Sequence, residues 1–295
     1  MLHFYLSLLL TNVLRMSVDT IANKGLEIKP RRSSRYPAEY LTDTDFADDI
    51  ALISESLVNA QSLLQSLEQA SNCVGLYLNE TKTEFVNMCT SDNDFIIKTL
   101  NNTLLKMVSD YVYLGSYISS SEKDFLTRKG MAWSACNAMH KIWKSNLSRD
   151  FKLKIFKAAI EPILLYGSET WTLSKKLEKR LDGTYTRLLM RVQNLSWKHH
   201  PTKQHIYLNN PPVSSIVKAR RVQFAGHCCR AENEIIPTLL LWKPASQSRR
   251  GHKLTYPDVI SRDTGIHQHD LCSAMMDREV WRDIVNAIVS TKVEQ

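Results

Sequence analysis

The chain has 295 residues, 43% of them hydrophobic and 23% charged. That composition belongs to a folded globular protein and excludes a disordered or fibrous one. The length suggests two domains, or one with a large appendage. The net charge of +8 is unevenly spread. Residues 1–100 carry 8 Lys/Arg and 13 Asp/Glu, a balance of −5, and the remaining 30 and 17 leave +13 on residues 101–295. A basic back half points to a polyanionic partner. The six cysteines are scattered without a C-x-x-C pair, which argues against a disulfide framework or a disulfide-linked partner and for a reducing, intracellular compartment, nuclear or cytoplasmic.

In chain order, the apolar positions Leu2, Tyr5, Leu6, Leu9, Leu10 and Val13 fit one face of a buried helix that is too short to span a bilayer, so no membrane is expected. Residues 25–38, with two prolines and four cations, read as a loop. Residues 39–54 predict a strand, a turn at Asp48-Asp49, and a short buried strand. Leu57, Ala60, Leu63, Leu64, Leu67, Ala70 and Val74 then recur at helical spacing, with Ser54 or Ser56 as the opening cap and Gly75 as the stop. "LYLNETKTEFVNM" reads as strand, polar turn and strand, and two further short extended segments lead up to about residue 119. From Asp124 onward the pattern turns helical. Trp133, Cys136, Met139, Ile142 and Trp143 mark one helix; others are expected over about 150–166 (disturbed at Pro162), 175–195, 213–230 and 277–289. The fold class is α+β, with a short antiparallel sheet and helices in front and a mostly α-helical remainder.

The segment "TDTDFADDIALIS" holds four aspartates in seven positions before an apolar run. Adjacent carboxylates at a tight turn are either an ordinary acidic surface turn or half of a cation site. A hard divalent cation takes such oxygens, and two of them can drive phosphoryl transfer. Asp43 and Asp45 alternate with Phe46 along the strand, and both are expected to face solvent.

Phe46-Ala47-Asp48-Asp49 resembles the aromatic-x-Asp-Asp signature of reverse transcriptases, RNA-directed DNA polymerases, in the form found in non-long-terminal-repeat retrotransposons. Gly75-Leu76-x-Leu78-Asn79-x-x-Lys82-Thr83-Glu84 is similar to the next palm motif, and "YVYLGSYIS", centred on Tyr113-Leu114-Gly115, to the segment after it. "AAIEPILLYGSETWTL" resembles the downstream Tyr-Gly-x-Glu-x-Trp segment, and "KARRVQFAGHCCR" with "SRRGHK" resembles the tail. The five motifs occur in the family's order across about residues 1–255.

The resemblance implies a partial polymerase palm over 1–120, a helical thumb-like region over 121–200 and a basic helical tail over 201–295. It implies that Asp48 ligates Mg²⁺ (or Mn²⁺) directly and that Asp49 supports or shares the metal. Lys82 would stand beside the phosphates of the incoming nucleotide, and Phe46 and Ala47 near the primer end. The implied partners are an RNA template and a DNA primer, held in part by Arg220, Arg221, Arg249, Arg250 and Lys253. A two-metal polymerase also needs a carboxylate on an earlier strand. Only Asp19 and Glu27 precede Glu39 as acidic candidates, and neither has a strand-like context. The chain therefore resembles the C-terminal part of a longer element and is expected not to polymerise alone; a non-catalytic nucleic-acid-binding remnant is the other reading. His227, Cys228, Cys229, His267, His269 and Cys272 are too spread for the usual spacing of a zinc site.

Overall fold

The computed structural model describes residues 13, 17, 19–88, 96–208, 210–233, 235–243 and 254–290. The chain forms two compact units, residues 1–111 and 112–295. The fold is mixed α+β, with small unclosed sheets and a largely helical C-terminal region. Among the described residues no helix is long and apolar enough to cross a membrane, and the five described cysteines are free thiols.

The first unit opens with a 3₁₀ turn, Asp19–Lys24, followed by β1 (Leu26–Lys29), β2 (Glu39–Leu41), β3 (Asp43–Phe46) and β4 (Asp49–Leu52). Helix α1 (Leu57–Cys73), β5 (Glu84–Phe85) and β6 (Lys106–Met107) complete it. The strands pair two by two: β1–β2 and β3–β4 antiparallel, β5–β6 parallel. The expected antiparallel sheet is thus several two-stranded pieces, one of them parallel.

Helix α1 follows its sequence pattern. Ser56 caps it, accepting from the Asn59 amide at 3.2 Å, and Gly75, at φ +78°, ends it. Leu63 and Leu67 pack with Val13, Ile50 and Leu52; Leu64 packs with Ile97 and Leu105. Val74, expected on the buried face, is exposed because the helix has already ended at Cys73. Two further expectations fail. Residues 26–29 form β1 rather than loop, aided by Gly25, where a Cβ would lie 2.5 Å from the Leu41 carbonyl oxygen. Residues 76–79 form no strand, because Asn79 starts a turn: its backbone carbonyl and side-chain Oδ1 accept from the Lys82 amide at 3.1 and 3.2 Å. Of the expected N-terminal helical face, only Val13 is described, and it is buried.

The second unit begins with the hairpin β7 (Val112–Tyr113) and β8 (Ser116–Tyr117). Helices come next: α2 (Ser121–Ala138), α3 (His140–Lys144), α4 (Arg149–Ala159), α5 (Glu161–Leu164), α6 (Lys175–Val192), α7 (Lys203–Tyr207) and α8 (Val213–Cys229). The tail adds α9 (Ile235–Leu240), α10 (Tyr256–Thr264), α11 (Gln268–Met276) and α12 (Arg278–Val289). A break at Met139 splits the expected Trp133–Trp143 helix, and the Trp143 indole closes the gap by donating to the Cys136 carbonyl at 2.7 Å. Pro162 sits in the first turn of α5, where its missing N–H costs nothing. One core joins α2 through α8, built on Trp143, Phe156, Leu181, Tyr185 and Leu188. A second joins α8 to the tail through Val222, Ile260, Leu271 and Trp281.

Candidate functional site

The carboxylate turn is a hairpin. Residues 43–46 pair with 52–49, so that Phe46 faces Asp49 across a loop of only two residues, Ala47 and Asp48. Two-residue hairpin loops need a left-handed residue to match the strand twist. Here Ala47 takes it, at φ +56°. An alanine in that conformation costs about 1–2 kcal/mol that glycine would avoid. The turn is thus one residue earlier than the sequence pattern placed it.

Register decides which way each side chain points. Ile50 and Leu52 pack toward α1 and the buried Leu63 and Leu67. Asp45 and Asp43, their cross-strand partners, share that face. Asp45 is exposed as expected. Asp43 is half-buried and accepts from the Thr42 hydroxyl at 2.7 Å, so its expected exposure is only partial. Phe46 and Asp49 lie on the opposite face, and Phe46 is 62% exposed. Asp48 and Asp49 are both exposed, and their side chains enter no hydrogen bond or ion pair among the described residues. The hairpin therefore presents two adjacent, uncompensated carboxylates beside an exposed aromatic ring. That is a donor pair for a hard cation, but an incomplete cage. Among the described residues no three His, Cys, Asp or Glu side chains gather into a metal-binding group.

Lys82 stands exposed on the Asn79 turn. Glu80 fixes that turn by accepting from Thr99 (3.0 Å), Asn101 (3.1 Å) and Thr103 (2.7 Å). These donors, Thr103 foremost, hold the Glu80 carboxyl below its ordinary range.

In the second unit two sequence motifs meet. Leu114 and Gly115 form the β7–β8 loop with φ +48° and +82°, a turn with both central residues left-handed. The loop is clamped from the Tyr-Gly-x-Glu-x-Trp segment and from α2. The Tyr166 hydroxyl donates to the Leu114 carbonyl at 2.9 Å, and Arg128 donates to the Gly115 carbonyl. The Arg128 guanidinium also lies 4.3 Å from the Tyr166 ring centroid. Asp124, buried on α2, accepts from the Trp171 indole at 2.8 Å and lies 3.7 Å from Arg128. Gly167, at φ +68°, is required twice: a Cβ there would sit 2.4 Å from the Ser116 hydroxyl. The two motifs are visible in the sequence. Asp124 and Arg128 are not, because they carry no local signature beyond a helical i, i+4 pair.

The arginines expected to hold nucleic acid differ in placement. Arg221 is fully buried, donating to Asp263 at 2.5 Å and to the Trp171 carbonyl at 2.6 Å, so it ties α8 to α10 and has no face open to a ligand. Arg220 is a third exposed, 3.7 Å from Glu161, and donates to the Leu165 carbonyl at 3.4 Å. Arg249, Arg250 and Lys253 lie outside the described residues. Other exposed cations, less prominent in the sequence, are Lys175, Lys176 and Lys179 at the start of α6.

In the tail, the Cys229 and Cys272 thiols approach to 3.8 Å and the His267 and His269 rings stack at 5.7 Å. Burial first, then the neighbouring Cys272, pushes Cys229 up to about 11.

The chain is 29% identical over 222 residues to the transposon-derived protein F52C9.6 of Caenorhabditis elegans, covering 71% of this chain and 79% of that one. It is 24% identical over 170 residues to the RNA-directed DNA polymerase from mobile element jockey of Drosophila funebris, covering 52% of this chain but only 18% of the polymerase. No family model matches the chain, and no solved structure does. The chain is a distant homologue of transposon-derived and retrotransposon-associated proteins.

Proposed function

We propose that the chain is a piece of a retrotransposon RNA-directed DNA polymerase, a palm portion followed by a thumb-like helical portion, that holds nucleic acid and does not polymerise by itself. The observation that carries this is the Asp48–Asp49 pair: exposed, uncompensated and at a hairpin turn, in a chain with detectable similarity to such a polymerase. Asp48 and Asp49 would hold Mg²⁺ or Mn²⁺, for which two hard oxygens are suitable donors, and the ion would neutralise charge on a reacting phosphate in the complete enzyme. Two carboxylates are too few for a two-metal site, which is why chemistry is not assigned to this chain. Lys82, Phe46 and Ala47 belong to the same proposal as neighbours of nucleotide and primer, and the implied partners are an RNA template and a DNA primer. Exposed cations of the basic half would supply salt-sensitive, sequence-independent affinity.

Two assays test the two halves. Primer extension with purified protein and Mg²⁺ or Mn²⁺ should give no product; templated synthesis that Asp48→Asn abolishes would overturn the inactivity. Oligonucleotide binding across a salt series should weaken linearly on a log–log plot, and no binding at low salt would overturn the nucleic-acid reading.

A further inference from the structure

The first turns of α2 and α6 border a half-open cavity of about 330 Å³ in the second unit, within the size range of small-ligand sites, about 300–1,000 Å³. Its lining is mostly polar: five Ser and Thr hydroxyls, two cations (Lys176 and Arg180) and one carboxylate, Glu122. Arg180 and Glu122 form an ion pair, and Lys176 enters none among the described residues. The walls are built by the two motifs already described, since the lining includes residues directly after β8 and residues on both sides of Trp171. Ser121 on α2 accepts from the Thr172 amide at 2.9 Å, which fixes the spacing of the two walls.

We propose that this cavity binds a phosphate group carried on a nucleic-acid strand, with Lys176 and Arg180 as its cationic contacts and the hydroxyls of Ser121, Thr172 and Ser174 as further donors. An uncompensated lysine, an arginine and several hydroxyls, with two cations against one carboxylate, favour an anion with several acceptor oxygens over a cation or an apolar ligand. Backbone geometry adds to this. Ser120 and Ser174 take up the third amides of α2 and α6 at 3.3 and 3.2 Å, which leaves the first two amides of each helix without intrahelical acceptors. Lys175 and Lys179, exposed on the same first turns of α6, would meet phosphates on either side. The choice of a strand rests on the nucleic-acid reading above; the phosphate chemistry does not.

The test uses the full chain, a dye-labelled single-stranded oligonucleotide and, separately, inorganic phosphate followed by ³¹P NMR line broadening. Lys176→Gln, which breaks no contact in the fold, should weaken the oligonucleotide about five-fold at ~0.1 M salt and lower the log–log salt slope by about 0.7. Arg180→Gln should weaken it further. Lys98→Gln, an exposed cation of the first unit that does not line the cavity, should leave the slope unchanged. Equal effects of Lys176→Gln and Lys98→Gln would overturn the cavity while leaving general nucleic-acid binding intact. Saturable phosphate broadening that Lys176→Gln removes, with no oligonucleotide binding, would keep a phosphate site, assign it to a small phosphate-bearing ligand, and overturn the strand. No binding of either probe would overturn the proposal.

Discussion

Gly167→Ala gives a sharp test of the clamp that joins the β7–β8 hairpin to the Tyr-Gly-x-Glu-x-Trp segment. Two costs are separable. The residue sits at φ +68°, where an L side chain loses about 1–2 kcal/mol relative to glycine. Its new methyl group would also lie 2.4 Å from the Ser116 hydroxyl but 3.5 Å from the Ser116 Cβ. Overpacking of that kind costs about 1–3 kcal/mol. The sum is about 2–5 kcal/mol. Ser116→Ala removes only the hydroxyl, so Gly167→Ala/Ser116→Ala should relieve the clash and keep the backbone penalty. Urea unfolding followed by tryptophan fluorescence is well suited, because all six tryptophans lie in residues 112–295 and none in the first unit. A positive coupling of about 1–3 kcal/mol in the cycle is expected. A single variant within 0.5 kcal/mol of the parent, or a double variant no more stable than the single, would refute the reasoning.

Asp124→Ala should cost about 3–5 kcal/mol in the same assay, since it strands the buried Arg128 and orphans the Trp171 indole; a loss under 1 kcal/mol would show that the pair does not hold the clamp. In native protein at pH 8, iodoacetamide should label the exposed Cys73 and Cys272 quickly and leave the buried Cys136 and Cys229 slow, because burial raises both of the latter thiols; mass-mapped labelling of Cys229 ahead of Cys272 would contradict this. Asp258, which completes the capping box of α10 with Thr255, is held down to about 2, chiefly by the Thr255 hydroxyl. A depressed carboxylate contributes stability that is full above its unfolded value near 3.8 and is lost as pH falls toward 2. Asp258→Asn should therefore flatten the acid limb of stability between about pH 4 and pH 2, and an unchanged limb would count against the cap.

Much of the fold was legible where a local rule decides it. Ser56, Gly75 and the Leu63/Leu64/Leu67 spacing specify α1 almost to the residue, and Pro162 marks the α4–α5 break. Legibility failed where distant partners decide. Residues 26–29 look like a cation-rich loop, yet pair with β2 across a bulge between Glu27 and Lys29. Residues 76–79 look like a strand, yet Asn79 and the three donors on Glu80 fold residues 80–82 into a turn. The tail helices α9 to α11 are short, and their apolar residues gather on α8 in one cluster.

The site residues divide in the same way. The exposure of Asp48 and Asp49 is readable, because Asp48 lies in the two-residue loop and Asp49 opens β4 on the face turned away from Ile50 and Leu52. Arginine is not readable in that way. Arg220 and Arg221 are adjacent in sequence and on one helix, so their side chains point about 100° apart, and only burial tells them apart: one is locked beneath Trp171 and Asp263, the other reaches a third of its surface to solvent. A run of positive charge therefore overstates the cationic surface wherever an arginine is spent on carbonyls and carboxylates inside the fold. Lysine can be spent in the same way: Lys152 is buried, its ammonium donating to the Trp143 and Ser145 carbonyls at 2.8 Å each. Lys175, Lys176 and Lys179 are exposed and sit at the start of α6, where the helix dipole disfavours cations. Lys175 and Lys176 in that first turn oppose the helix that carries them, offset in part by Glu178, and under the phosphate proposal a bound anion would remove the conflict.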